Sequence, residues 1–320
     1  MPEVDYSDLN SFKALIERRN VVLQRLLGDP PAEIQQSDSH YTTSDGTSMR
    51  VKLYRPTDAP ARGCPLIVMI HGGGFCIGMP ESEEQTCRNL VQAFDAVCVS
   101  ISYRLAPEFK FPHAPNDCWD ALRWAASNAH SLGADPKLGF VVGGTSAGGN
   151  LAAVMALKAR DVGLSPPLTG HYLSVPITGI DSKYHDRLLS MEQNKDAPIL
   201  PVAALDMFMN GYQPDYEDRI LYSIIAHPKG HQSLPPAFFQ ICGMDPLRDE
   251  ALVYEAVYRE NGVKTRLEMY PGCPHGFWGF FPSLRQSARY RKEQIEGIGW
   301  LLGMEPRTDK IKTHTSQLKI

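Results

Sequence analysis

Nothing in the 320-residue sequence approaches the uninterrupted apolar length of a membrane span, so no transmembrane helix is expected. Basic charge is not in excess. Lys and Arg number 32 against 36 Asp and Glu, and no long cationic run occurs, so nucleic acid is not an expected partner. Cysteine is sparse: seven residues, scattered, odd in number and without a C-x-x-C pair. That excludes a fully paired disulfide framework and fits a reducing, cytoplasmic setting. Neither G-x-G-x-x-G nor a P-loop occurs, which removes two common nucleotide-binding signatures. Cys273 and His275 stand close together, but no ligand set completes them, so neither a metal nor a cofactor is expected. Met1–Asp5 lacks a charged segment leading into an apolar one, so no secretory signal is expected. What remains is an ordinary globular composition, 43% hydrophobic and 21% charged, in a chain long enough for one large domain.

Against that background one stretch stands out. The apolar run Leu138–Val142 ends in glycines, and Gly144-Thr145-Ser146-Ala147-Gly148 leads into the Ala/Leu/Met-rich segment Leu151–Leu157. Strand, sharp turn and helix are the setting of a nucleophile elbow, in which a strained serine stands clear of the sheet. Composition alone yields ~0.1 chance matches to G-x-S-x-G, so the motif is suggestive by itself. A second stretch strengthens it. The buried-strand run Pro65–Ile70 passes directly into His71-Gly72-Gly73-Gly74-Phe75, whose chance expectation is only ~0.005. Such a glycine run offers bare backbone N–H groups to an oxyanion.

A serine nucleophile needs an imidazole base, and the base needs a carboxylate to fix its tautomer. Of ten histidines, His275 alone follows the last strand in a tight loop, Pro271–Phe277. His71 belongs to the glycine loop, and His171, His227 and His231 read as surface or core residues. For the acid, Asp245 directly follows the strand Ala237–Cys242, while Asp249 stands four residues on and could instead cap the next helix. Cys76 and Cys273 lie near the presumed site, where a thiol reagent would block it without either being the nucleophile.

The rest of the chain reads as alternating strands and helices. Leu9–Leu27 has helical apolar spacing and stops at Gly28-Asp29-Pro30-Pro31. Ser37–Thr43 and Thr47–Tyr54 alternate around Asp45-Gly46 as a hairpin. Further strands are expected at Ala96–Tyr103, His171–Pro176 and Val263–Tyr270. Helices are expected at Asn116–Asn128, Glu250–Asn261 and Ser283–Leu302. Residues 178–219 break this rhythm, and residues 304–320 read as a mobile tail. The alternation predicts an α/β fold with a mostly parallel sheet and a site at the carboxyl ends of its strands.

Five blocks, with order and spacing intact, carry a family resemblance: His71–Phe75, Tyr103–Glu108, Gly144–Gly149, Asp245–Glu250 and Pro274–Phe277. The chain resembles the hormone-sensitive-lipase family of α/β-hydrolase carboxylesterases, including its fungal cytosolic members. The resemblance implies an eight-stranded α/β-hydrolase core over residues 37–180 and 220–303. It implies a helical cap from residues 1–36 and from 181–219, an insertion after the sixth strand. It implies a triad of Ser146, Asp245 and His275, and an oxyanion hole of the Gly73, Gly74 and Ala147 N–H groups. Phe75, Met207, Phe208 and Phe277 are expected to touch a small-molecule ester substrate of short to medium acyl chain, some relatives acting on secondary metabolites. The Tyr103–Glu108 loop is expected to support the oxyanion loop. Acyl transfer, or amide, formamide or lactone cleavage, would run on the same triad. Plant gibberellin receptors resemble this family but lack the working histidine, which this chain keeps.

Overall fold

The computed structural model describes residue 6, residues 8–179 and residues 188–307. The chain enters the sheet through a hairpin, β1 (Ile34–Thr42) and β2 (Ser48–Pro56), paired antiparallel. Its turn is tied by Asp45, whose Oδ1 accepts from the Thr43 hydroxyl at 2.6 Å and the Thr47 N–H at 3.2 Å. Side chains locking their own turn backbone explain the Asp-Gly signal here. β1 begins at Ile34, inside the segment assigned above to the cap.

Six more strands follow: β3 (Leu66–Ile70), β4 (Val97–Ile101), β5 (Phe140–Thr145), β6 (Gly170–Ser174), β7 (Ala237–Met244) and β8 (Thr265–Pro274). The sheet order is β1-β2-β4-β3-β5-β6-β7-β8, and every pair from β4 onward is parallel. All residues of β3, β4 and β6 are buried, as a sheet covered on both faces requires. Their side chains alternate between two cores. Leu66, Val68 and Ile70 join the larger one, and Ile67 and Met69 the smaller.

Nine helices occur among the described residues: α1 (Leu9–Leu27), α2 (Glu84–Phe94), α3 (His113–Asn128), α4 (Ala147–Val162), α5 (Ser190–Gln193), α6 (Val202–Tyr212), α7 (Arg248–Glu260), α8 (Phe277–Phe280) and α9 (Arg285–Leu302). α3, α4 and α7 cover one face of the sheet, and α2 and α9 the other. The reading above passes over α2, although Cys87, Leu90, Val91 and Phe94 repeat at helical spacing and are all buried. No helix among the described residues is long and apolar enough to cross a membrane.

Two strand pairings position everything that follows. Ile70 of β3 pairs with Gly144 of β5, so His71–Phe75 and Thr145–Ala147 leave the sheet side by side. Met244 of β7 pairs with Pro274 of β8, so Asp245 and His275 are the next residue on each strand. The second pairing differs from expectation. β8 does not stop at Tyr270 but runs to Pro274 through a register shift at Cys242/Met244. An irregularity of this kind re-aims the side chains beyond it.

Residues 304–307 are also not the free start of a tail. The Arg307 N–H donates to the Ala93 carbonyl at 3.1 Å, and its guanidinium pairs with Asp95. Residues 308–320 of that tail, and residues 1–5, 7 and 180–187 of the cap and its approach, lie outside the described residues.

Candidate active site

Ser146 joins β5 to α4 with φ +59 and ψ −118, a conformation rare for a residue with a side chain. Glycines at 144 and 148 make the turn possible. A Cβ on Gly144 would lie 2.2 Å from the Gly148 carbonyl oxygen, and one on Gly148 would lie 2.1 Å from the Ile70 oxygen. Any side chain at either position would push β3, β5 and α4 apart. The Ser146 N–H is held by the Ser174 carbonyl at 2.8 Å, which ties the turn to β6 as well. The strain is therefore held by three elements of the sheet.

Ala147 is the first residue of α4, so its N–H has no partner within the helix. The N–H groups of Gly73 and Gly74 likewise donate to no backbone carbonyl among the described residues. All three residues line one cavity of about 890 Å³, together with Ser146 and His275. Three such donors on residues lining one cavity suit a developing oxyanion. The loop carrying two of them is braced from behind. The His71 ring stacks on Tyr103 at 4.3 Å, its Nδ1–H donates to the Gly72 oxygen at 2.8 Å, and the Tyr103 hydroxyl donates to the His71 oxygen at 3.0 Å. Burial pushes the His71 pKa down to about 4, so this imidazole is neutral and its Nδ1 proton is already engaged. The Tyr103–Glu108 loop is anchored in turn by Arg104, whose guanidinium grips the fully buried Asp117 through Nε at 2.9 Å and Nη2 at 2.6 Å. It joins the oxyanion loop through the Ala106 N–H, which donates to the Phe75 oxygen at 3.0 Å.

Asp245 is buried, at 1% exposure, and its two oxygens have separate tasks. Oδ2 accepts from His275 Nδ1 at 2.7 Å, and Oδ1 accepts from the Leu247 N–H at 2.9 Å. Holding Nδ1–H in this way leaves His275 Nε2 as the basic nitrogen. Asp249 is engaged elsewhere. It accepts from the Ser190 N–H at 2.8 Å and from Arg248 Nε at 2.7 Å, so it fastens α5 to the core and does not cap α7. His171, His227 and His231 are all buried, at 0%, 5% and 2% exposure, so they are core residues and not surface ones. No group of three or more His, Cys, Asp or Glu among the described residues is disposed to hold a metal.

The structure divides the four expected substrate contacts. Phe208 and Phe75 line the cavity. Phe75 does so from a fully buried position, stacked on Tyr212 at 4.0 Å. Met207 and Phe277 do not line it. On α6 the cavity face carries Leu205, Phe208 and Met209, spaced i, i+3, i+4, and Met207 falls on the opposite side, in the core. Phe277 opens α8 and packs edge-on to Trp278 and Tyr290, with Tyr270 behind it. Its neighbour Trp278 lines the cavity instead. α1 supplies another wall through Phe12 and Ile16, with Phe12 edge-on to Phe208 at 5.7 Å. Sequence reasoning missed Trp278 because two adjacent aromatics give no hint of which one faces in. It also missed Glu83, a 6%-exposed cavity residue held by Thr145 and Thr86, whose pKa burial raises to about 7.

Comparison with known proteins identifies the family. Residues 67–279 match the family described as alpha/beta hydrolase fold. Carboxylesterase NlhH of Mycobacterium tuberculosis is 38% identical over 73% of this chain and 72% of its own. Versiconal hemiacetal acetate esterase of Dothistroma septosporum is 33% identical over 81% and 79%. Among solved structures, vibralactone cyclase superposes with a TM-score of 0.88 at 36% identity, covering 95% of this chain and 91% of that one. The chain belongs to the α/β-hydrolase fold family, in its hormone-sensitive-lipase-like branch.

Proposed function

We propose that the protein is a serine carboxylesterase that cleaves small esters of short to medium acyl chain through Ser146, His275 and Asp245. The observation that carries this reading is a strained serine and an Asp245-held imidazole on one cavity, with backbone N–H groups that have no backbone partner among the described residues. In the first half-reaction His275 Nε2 takes the Ser146 hydroxyl proton as Oγ attacks the ester carbonyl. The carbonyl oxygen becomes an oxyanion and is held by the Gly73, Gly74 and Ala147 N–H groups. The intermediate collapses, the C–O bond to the alcohol breaks, and His275 returns the proton to the departing oxygen. In the second half a water gives a proton to His275 as its oxygen attacks the acyl-enzyme carbonyl, and His275 passes that proton to the departing Ser146 Oγ as the acid leaves.

Apolar walls from Phe12, Ile16, Leu205, Phe208 and Trp278 suit an acyl chain or a hydrophobic alcohol. An ester of a secondary metabolite is the natural class to try, given the named relatives. The likeness to vibralactone cyclase favours one second reading. Attack on the acyl-enzyme by a hydroxyl of the same substrate, in place of water, would give a lactone. A p-nitrophenyl ester panel from acetyl to palmitoyl tests the main reading. kcat/KM should peak at or below hexanoyl, and a steady rise to palmitoyl would sink it.

A further inference from the structure

The same cavity carries cations that the ester chemistry does not use. Arg19 of α1 and Arg291 of α9 both line it, and both are half-buried. They bond carbonyls three residues apart, one within α8 and one just after it. Arg19 Nη2 donates to the Gly279 carbonyl at 2.7 Å with its guanidinium 3.6 Å over the Phe280 ring, and Arg291 Nη2 donates to the Pro282 carbonyl at 2.8 Å. Neither has a carboxylate within ion-pair distance among the described residues. Many other cations among the described residues do. Arg50, Arg104, Arg160, Arg248 and Arg266 all meet acids at 3.0 Å or less.

The cavity's own carboxylates are already committed. Glu81 pairs with Arg50 at 2.6 Å, Glu296 pairs with Lys292, and Glu83 is buried against Thr145 and Thr86. Arg285, exposed on the same wall, adds a third cation without an acidic partner among the described residues. Burial holds both Arg19 and Arg291 below the ordinary guanidinium value, as expected where no counter-charge offsets the lost water. A guanidinium has five N–H donors in a fixed fork matched to oxyanions, and each of these uses one on a backbone carbonyl.

We propose that Arg19 and Arg291 bind a carboxylate on the substrate, so that the preferred ester carries an anionic group in addition to its scissile ester. The proposal rests on reading Ser146 as the nucleophile in the same cavity. Ile16, Phe208 and Trp278 give the same cavity an apolar lining, which suits a hydrophobic spacer between the ester and the carboxylate. The two arginines are specificity residues. They lower KM for the anionic ester and take no part in proton transfer.

The test compares ω-acetoxyalkanoates with their primary amides over a homologous series, and p-nitrophenyl half-esters of dicarboxylic acids with their ω-amides. Each protein is read as the ratio of kcat/KM for carboxylate over amide, which cancels differences in active fraction. In the wild type the ratio should rise with spacer length to a maximum of roughly tenfold or more, chiefly through KM, the range of a charge-assisted hydrogen bond. Added salt should raise KM for the carboxylate and leave the amide unmoved. Arg19→Gln and Arg291→Gln should each pull the ratio toward one. A ratio at or below one at every length in both series, or a ratio unchanged in both variants, overturns the proposal while leaving the esterase reading standing. Absence of turnover with any ester would overturn both.

Discussion

Replacing Asp245 with Asn is the perturbation that bears most sharply on the proposed triad. The carboxylate is buried and accepts two hydrogen bonds, from His275 Nδ1 at 2.7 Å and from the Leu247 N–H at 2.9 Å. An amide has one oxygen, and the fixed Leu247 N–H takes it. The amide NH₂ then faces His275, which must turn an unprotonated Nδ1 toward it. The proton moves to Nε2, and the nitrogen facing the cavity ceases to be a base. The charge that would stabilise the imidazolium is lost as well. Together these should lower kcat by roughly 10³ to 10⁴, about 4 to 5.5 kcal/mol of transition-state stabilisation. KM should change little. The assay is steady-state hydrolysis of p-nitrophenyl butyrate, with the active fraction counted by an organophosphonate. Asp249→Asn is the control, since Asp249 holds Ser190 and Arg248 and not the histidine. It should cost stability and less than tenfold in kcat. Asp245→Asn within tenfold of wild type, or Asp249→Asn with the larger loss, would refute the reasoning.

Three further outcomes follow from named contacts. Phe208→Ala should widen the cavity and shift kcat/KM toward octanoyl and decanoyl esters, whereas Met207→Ala should cost ~2 to 5 kcal/mol in a urea melt and leave chain preference alone; equal shifts in preference would contradict the helix phase described here. Burial raises the pKa of Glu250 to about 8 and of Glu83 to about 7, so their stabilisation is complete below the ordinary carboxyl value of 4.5 and is lost as pH rises through 7 to 8. Buried His71 and His171, held down at about 4 and about 3, act in the opposite sense but only below about pH 6.5. Between pH 6.5 and 8 stability should therefore fall, by ~2 kcal/mol from Glu250 alone, and Glu250→Gln should flatten the slope; parallel pH profiles would contradict this. All seven cysteines are buried and burial pushes the Cys76 thiol up to about 12, so iodoacetamide at neutral pH should leave the native protein unlabelled and active, contrary to the sequence-based expectation of thiol sensitivity; rapid inactivation would show the site opens more than the packing allows.

What was legible in the sequence was whatever backbone geometry forces on residue type. Gly144 and Gly148 are required because their missing Cβ atoms would strike backbone oxygens at 2.2 and 2.1 Å, and a constraint of that kind leaves a motif. The order of strands and helices was legible for a related reason. Burial on both faces of β3 demands an unbroken apolar run. The identity of the acid was not decidable from spacing. Asp245 and Asp249 both follow the strand, and only the Met244–Pro274 pairing, made after a register shift, aligns Asp245 with His275. The cavity walls were the least legible part. Met207 and Phe208 are adjacent and both apolar, and which one faces in depends on how α6 seats against Gly74, where a Cβ would meet the Phe208 ring at 2.3 Å. Arg19 and Arg291 were invisible for another reason. Their meaning lies in what they lack as partners, and they stand 272 positions apart in the chain (291 less 19).

The most direct test of the account is covalent. Wild-type protein treated with a fluorophosphonate and digested should carry one equivalent of adduct, on the peptide containing Ser146, with loss of ester hydrolysis in proportion to labelling. Ser146→Ala should fold, take up no adduct and lose roughly 10⁴-fold or more in kcat. Stoichiometric labelling at any other residue, or of the Ser146→Ala variant, would contradict the claim that this strained serine is the nucleophile.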